Sequence, residues 1–188
     1  RIRLFLSTQA AQVLVQSLVI SRLDYCNSLL AGLPLNAIRP LQMIQNADNA
    51  DNMVFTSKPN PINPTSHVYC VLCTYDHITP ILSSLHWLPV KFRIDYKLLL
   101  LTFKALNGLA PMYLSSLLTR YNPPRSLRSQ NSGLLVVHRI AKSTKGGRAF
   151  SHLAPKLWNS LSDGVRGSDT LTQFKCRLKT YLFSKAYT

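Results

Sequence analysis

Leu85-His-Trp-Leu-Pro-Val-Lys-Phe-Arg-Ile-Asp-Tyr-Lys-Leu-Leu-Leu-Leu-Thr-Phe-Lys-Ala-Leu-Asn-Gly108 is the stretch on which the fold turns. Pro89 presets φ and lacks an N–H, which suits a first helical position. Asn107-Gly108 supplies a left-handed stop. The pattern therefore predicts a helix over about 89–106. At ~100° per residue it carries two apolar stripes. One is Val90, Ile94, Leu98, Leu101 and Ala105; the other is Phe92, Tyr96, Leu99, Phe103 and Leu106. Two polar ridges separate them, Arg93, Lys97 and Lys104 on one side and Lys91, Asp95 and Thr102 on the other. Such a helix is a central strut packed on two faces.

Outward from the strut, the predicted class is mainly α: a helical bundle around this central helix, with a small β-hairpin in a basic C-terminal third. Ser7 or Thr8 caps a helix over about 9–30, ended by Gly32 and Pro34. Asn36 caps a second helix through Leu41, Ile44 and Ala47. The tandem Asn-Ala-Asp of residues 46–52 competes with its own backbone, and three prolines follow within 59–64. Residues 48–76 are therefore expected to form an irregular insert. Thr79-Pro80 opens a short helix and Pro111 another. Leu134–Ile140 with Gly146-Gly147 predicts the hairpin. Helices follow over 154–161 and, capped by Ser168, through Leu171, Phe174, Leu178, Tyr181 and Leu182. Residues 1–119 and 120–188 read as two regions.

The 188 residues are 46% hydrophobic, a composition that supports a buried core. Lys and Arg number 22 against 7 acids, all Asp, for a net charge of +15. Thirteen of the cations lie in residues 120–188 against Asp163 and Asp169, a local charge of +11. This imbalance favours a polyanionic partner and salt-sensitive binding. No signal peptide is evident, and the run Val13–Ile20 is too short to span a bilayer. Arg1 stands where an initiator Met would, which points to a fragment. Cys26, Cys70, Cys73 and Cys176, without secretory context, read as reduced thiols in an intracellular protein, nuclear or cytoplasmic.

Four constellations bear on chemistry. His67, Cys70, Cys73 and His77 are of the types that hold tetrahedral zinc. They fall within eleven residues, too close for the usual two-halved finger, and chance clustering in a loop is the favoured reading. Metal-dependent nucleotidyl transfer needs converging carboxylates; the closest pair, Asp48 and Asp51, has no strand to hold it. No nucleophile elbow, P-loop or dinucleotide fingerprint is present, and His86 beside Trp87 reads as a hydrogen-bonded core residue. No catalytic residue is assigned. The fourth constellation is cationic: Arg125, Arg128, Arg139, Lys142, Lys145 and Arg148 on loops, Lys175, Arg177 and Lys179 on the last helix, and the Arg93, Lys97, Lys104 ridge. Loop and edge cations are suited to phosphate contacts. Trp158 and Phe150, whose exposure would add stacking, are read as core.

Several blocks resemble one family. They include Ser21-Arg-Leu-Asp-Tyr-Cys-Asn-Ser-Leu-Leu-Ala-Gly-Leu-Pro34, Leu41-Gln-Met-Ile-Gln-Asn-Ala47, Asp76-His-Ile-Thr-Pro-Ile-Leu82 and Leu85-His-Trp-Leu-Pro-Val90. Further blocks are Phe103-Lys-Ala-Leu-Asn-Gly108, Ala110-Pro-Met-Tyr-Leu114, Gly147-Arg-Ala-Phe-Ser151, Ala154-Pro-Lys-Leu-Trp-Asn159 and Phe174 to Phe183. In this order they are similar to the region after the polymerase core of LINE-type, non-LTR retrotransposon reverse transcriptases; Asp48–Tyr75 departs from that pattern. The resemblance implies a thumb-like helical region that contacts RNA or DNA backbone without sequence preference. It also implies that the catalytic acids belong to a palm that would precede Arg1. The expected function is therefore a non-catalytic remnant of an RNA-directed DNA polymerase, with no cofactor and an upstream polymerase domain as a further partner. The alternatives are a small helical protein-interaction module, zinc-stabilised or not, and a fragment without function.

Overall fold

The computed structural model describes residues 10, 13–14, 16–56, 79–123 and 133–188, with the backbone alone at 16, 47–56, 81, 143 and 144. The predominance of helix follows the apolar periodicity. A π-turn at Gln16–Ile20 leads into α1 (Ser21–Asp24) and a 3₁₀ turn at Asn27–Leu30. Then come α2 (Leu35–Thr56), α3 (Thr79–Ser84), α4 (Val90–Leu106) and α5 (Met112–Ser115). The last third holds α6 (Ser143–Gly146), α7 (Phe150–Asn159), α8 (Asp163–Arg166) and α9 (Leu171–Tyr187).

The strut is α4, and both its faces are buried. Leu99 and Phe103 join Trp158 of α7 and Phe174, Leu178 and Leu182 of α9 in one cluster. Val90, Ile94 and Leu98 join Ala31, Ile38 of α2 and Ala154 of α7 in another. Residues on both sides of position 119/120 thus share the larger core. The C-terminus of α4 closes as the Asn-Gly pair requires: Gly108 takes φ +70° and Leu109 N–H donates back to the Lys104 carbonyl at 2.8 Å. One ridge residue departs from expectation. Thr102 is fully buried because its hydroxyl is satisfied internally, donating to the Leu98 carbonyl at 2.9 Å.

Pro89 is the N-cap of α4, not its first helical residue, and offers no side-chain cap. The cap comes from α2 instead. Gln42 Oε1 accepts from Val90 N–H at 2.9 Å, and Gln45, wholly buried, donates to the Leu88 carbonyl at 3.0 Å. Upstream, α3 ends in a tight turn in which Trp87 N–H donates to the Leu82 carbonyl, with His86 in the left-handed position at φ +55°. His86 is exposed and stacks on Phe183 of α9 at 5.5 Å, so it is not the core histidine expected of it.

Five further expectations are corrected. The first predicted helix is broken at Cys26, whose φ is +52°. Beside the break, Arg93 on α4 grips the Asp24 carboxylate through Nε (2.8 Å) and Nη2 (2.5 Å), and Asn27 Nδ2 also donates to it. The second helix starts at Leu35, so Asn36 lies inside its first turn. It then runs through the Asn-Ala-Asp repeat to Thr56, because extending a helix already anchored by Ile38 and Gln45 is far easier than starting one. Thus residues 48–56 are not irregular; the rest of the expected insert, 57–76, lies outside the described residues. The cap of α9 is Thr170, which accepts from Gln173 N–H at 3.2 Å; Ser168 is buried and donates to the Val165 carbonyl.

The hairpin is also absent among the described residues. The segment around Leu135 makes one isolated antiparallel bridge to Arg120, flanked by Tyr121 N–H to the Leu134 carbonyl and Val136 N–H to the Thr119 carbonyl, both 2.9 Å. In that register the Leu135 N–H and C=O point away from 119–121. A side chain meets them: Asn159 Oδ1 accepts from Leu135 N–H at 2.9 Å, and Asn159 Nδ2 donates to the Leu135 carbonyl at 2.8 Å. A primary amide here does the work of a neighbouring strand. The Gly pair expected to turn a hairpin instead ends and follows the helical turn α6.

Candidate nucleic-acid interface

Cations matter for phosphate binding only where they are exposed and lack a carboxylate partner. Along 139–148, Arg139, Lys142, Lys145 and Arg148 are all exposed, Arg139 and Lys142 ahead of α6 and the other two on it or just after it. Residues 142–148 are held by Gly146 N–H to the Lys142 carbonyl (3.0 Å) and Arg148 N–H to the Lys145 carbonyl (3.2 Å). The stem of Arg148 lies over Gly32, where an added Cβ would meet Arg148 Cγ at 3.0 Å and where φ is +73°. The positive φ favours glycine there, and a side chain would also make the Arg148 stem give way. On α9, Lys175 and Lys179 are exposed one turn apart and off the buried face of Phe174, Leu178 and Leu182. Arg177 is exposed too, but it donates to the Gly164 carbonyl at 2.7 Å and so braces α8 against α9.

The ridge on α4 divides. Lys97 is exposed and Lys104 half-buried, and neither has an ion-pair partner among the described residues. Arg93, with its side chain 17% exposed, is committed to Asp24. Substituting all three together would therefore strand the Asp24 carboxylate, and only Lys97 and Lys104 can be altered without touching the fold. Arg125 and Arg128 lie outside the described residues, as do His67, Cys70, Cys73 and His77. Among the described residues no cluster of three or more His, Cys or acidic side chains is placed to hold a metal. Likewise no described helix is long and apolar enough to cross a membrane.

Two of the described carboxylates are committed to ion pairs. Asp24 is held by Arg93 and Asp163 by Arg166, whose Nη1 also reaches the Leu161 carbonyl at 2.8 Å and the Asn159 carbonyl at 3.1 Å. Asp95, on α4, faces Lys91 and Lys185, yet burial outweighs both cations and holds its carboxyl above the usual value of 3.8. The native state thus binds this proton more tightly than the unfolded chain. Stability from Asp95 is greatest below pH 3.8, falls as pH rises through the raised native value, and stays lower beyond it. Asp95→Asn is accordingly expected to raise the thermal midpoint at pH 7 and to leave it unchanged near pH ~3, where both states are protonated; an equal shift at both pH values would remove ionisation as the cause. Burial also pushes Tyr187 up to about 12, where its hydroxyl donates to the Trp87 carbonyl and ties the end of α9 to the start of the strut.

Two cavities lie against this surface. One, of about 420 Å³, is lined by Arg120, Trp158, Asp163 and Arg166 among others. The second, of about 400 Å³, brings Lys97 of α4 and Lys179 of α9 to the same wall, with Trp87, His86 and Tyr96. Sequence reasoning placed Lys97 and Lys179 as cations but not as neighbours, since 82 positions separate them. It missed Gln42, Gln45 and Asn159, whose only sequence signal is a polar residue recurring on an otherwise apolar helix face. No known protein family, no curated protein and no solved structure matches the chain.

Proposed function

We propose that the chain is a non-catalytic module that contacts the backbone of RNA or DNA. It would be the C-terminal, thumb-like part of a retroelement reverse transcriptase of the kind its sequence blocks resemble. One observation carries the reading. Exposed cations at Lys97, along 139–148, and at Lys175 and Lys179 lack carboxylate partners among the described residues, on a chain of net charge +15. Their attraction is free to act on phosphates, and Lys97, Lys175 and Lys179 sit on the long helices α4 and α9. The catalytic acids of such an enzyme would belong to the upstream polymerase domain, so polymerase activity is not expected.

Equilibrium binding of a mixed-sequence duplex as a function of salt tests this. With some six phosphate contacts, affinity should fall by about 10³ between 50 and 200 mM salt. Lys142→Gln with Lys145→Gln should flatten the log–log slope by about 2. Undetectable binding at low salt would defeat the proposal.

A second reading has its own support. Leu18, Tyr25, Leu29 and Leu35 are 65–80% exposed, leaving apolar surface on the N-terminal segment uncovered. A protein-interaction module, zinc-stabilised or not, would use that surface, and the upstream polymerase domain is the natural partner. Its binding would be indifferent to salt but abolished by Tyr25→Asp with Leu29→Asp; a zinc-stabilised form would also lose bound metal on Cys70→Ser.

A further inference from the structure

The cavity of about 400 Å³ between α4 and α9 has a lining unlike the rest of the basic surface. Two lysines, Lys97 and Lys179, line it from different helices, and both are exposed and without an ion-pair partner among the described residues. The carboxylate on the wall, Asp24, is already neutralised by Arg93. Aromatic surface faces the same space: Trp87 and Tyr96, with His86 stacked on Phe183 beside them. Leu85, Leu88 and Leu100 add apolar wall. The volume lies within the range of small-ligand pockets, and the mix of apolar wall and a few convergent polar groups is theirs too.

We propose that this cavity is a pocket for a single nucleotide, its phosphate held by Lys97 and Lys179 and its base against the Trp87, Tyr96 and His86 surface. Lysine ammonium groups serve as point charges for phosphate, and aromatic faces accept any base by stacking. Bare inorganic anion would use only the lysines and would leave the aromatic wall idle. The proposal rests on the nucleic-acid reading for the source of the nucleotide, a base of a bound strand, but it adds a discrete pocket to what is otherwise a diffuse charged surface.

The chain has two tryptophans, and their indole N–H signals make the test direct. Trp87 lines this cavity, whereas Trp158 is buried with its Nε1 bound to the Gly133 carbonyl at 2.9 Å. Deoxyadenosine 5′-monophosphate, deoxyadenosine and inorganic phosphate are each titrated into the ¹⁵N-labelled full chain at low salt. The monophosphate should shift the Trp87 indole signal saturably while Trp158 stays in place. Either half alone should bind about tenfold more weakly, and Lys97→Gln with Lys179→Gln should weaken the monophosphate by about tenfold or more. An inorganic phosphate response equal to that of the monophosphate would reduce the site to a simple anion contact, and no Trp87 shift would remove it. Oligonucleotide binding in parallel keeps the two readings apart. A salt-sensitive oligonucleotide complex without a Trp87 response defeats the pocket alone. A Trp87 response without oligonucleotide binding defeats the broader reading and leaves the pocket standing.

Discussion

Phe174→Ala is expected to destabilise the protein by about 3–5 kcal/mol, the range for emptying a buried aromatic site. Phe174 is wholly buried, stacked on Phe103 of α4 at 4.3 Å and tilted against Trp158 of α7 at 5.7 Å. Three helices therefore meet on one ring. Truncation removes its apolar area from the core and leaves two other aromatic faces without a partner, and rigid helix backbones cannot close the gap. Against a total stability of ~5–15 kcal/mol, that loss is a large share of what holds the fold. At ~2–4 °C per kcal/mol for a chain of this size, the thermal midpoint should fall by about 10 °C. Phe174→Leu, which retains most of the volume, should cost clearly less. A midpoint for Phe174→Ala within ~2 °C of the parent would mean that α9 does not pack on α4 as described.

Asn159→Ala should cost about 2–4 kcal/mol for a different reason. The amide of Asn159 serves both the N–H and the carbonyl of Leu135, which is itself 3% exposed. Alanine leaves both backbone groups unpaired, at ~1–3 kcal/mol each, less whatever water can reach them. Asn159→Asp separates the two bonds. Its carboxylate still accepts from Leu135 N–H but sets a second oxygen against the Leu135 carbonyl. At pH 7 it should be no better than alanine; below pH ~4 the protonated acid can donate again and stability should recover relative to alanine. Hydrogen exchange at the Leu135 amide reads the effect locally. Full protection of that amide in Asn159→Ala would show that another group holds the segment.

Much of this architecture was legible in the residues. The apolar spacing of 90–106 and 171–182, with proline before and Asn-Gly after the first, marks α4 and α9 and identifies which faces they bury. Trp158 and Phe150 read as core, and Trp158 is buried while Phe150 packs half-buried against the second cluster. The true cap of α9 also had a signal: Gln173 stands three residues after Thr170, the spacing of a reciprocal cap, and Asp169 N–H does donate to Gln173 Oε1 at 3.1 Å. For the candidate interface, exposure of Lys175 and Lys179 followed from the helical face they occupy. Their grouping with Lys97 did not.

What the sequence alone determined is therefore local: where helices run, which stripe of each is apolar, and how lopsided the charge is. These depend on residues within a few turns of one another, so periodicity and end signals suffice. Only the tertiary structure decided the break at Cys26, the cap of α4 by Gln42, the replacement of a hairpin by the Asn159 amide, and the withdrawal of Arg93 from the free cations. The last three are polar pairings across 24 to 69 positions, and no local preference encodes which distant group will arrive. The strut at 90–106 shows both sides of this division. Its two buried faces are written in its own residues, while its N-terminal cap and the fate of its ridge are written in α2 and Asp24.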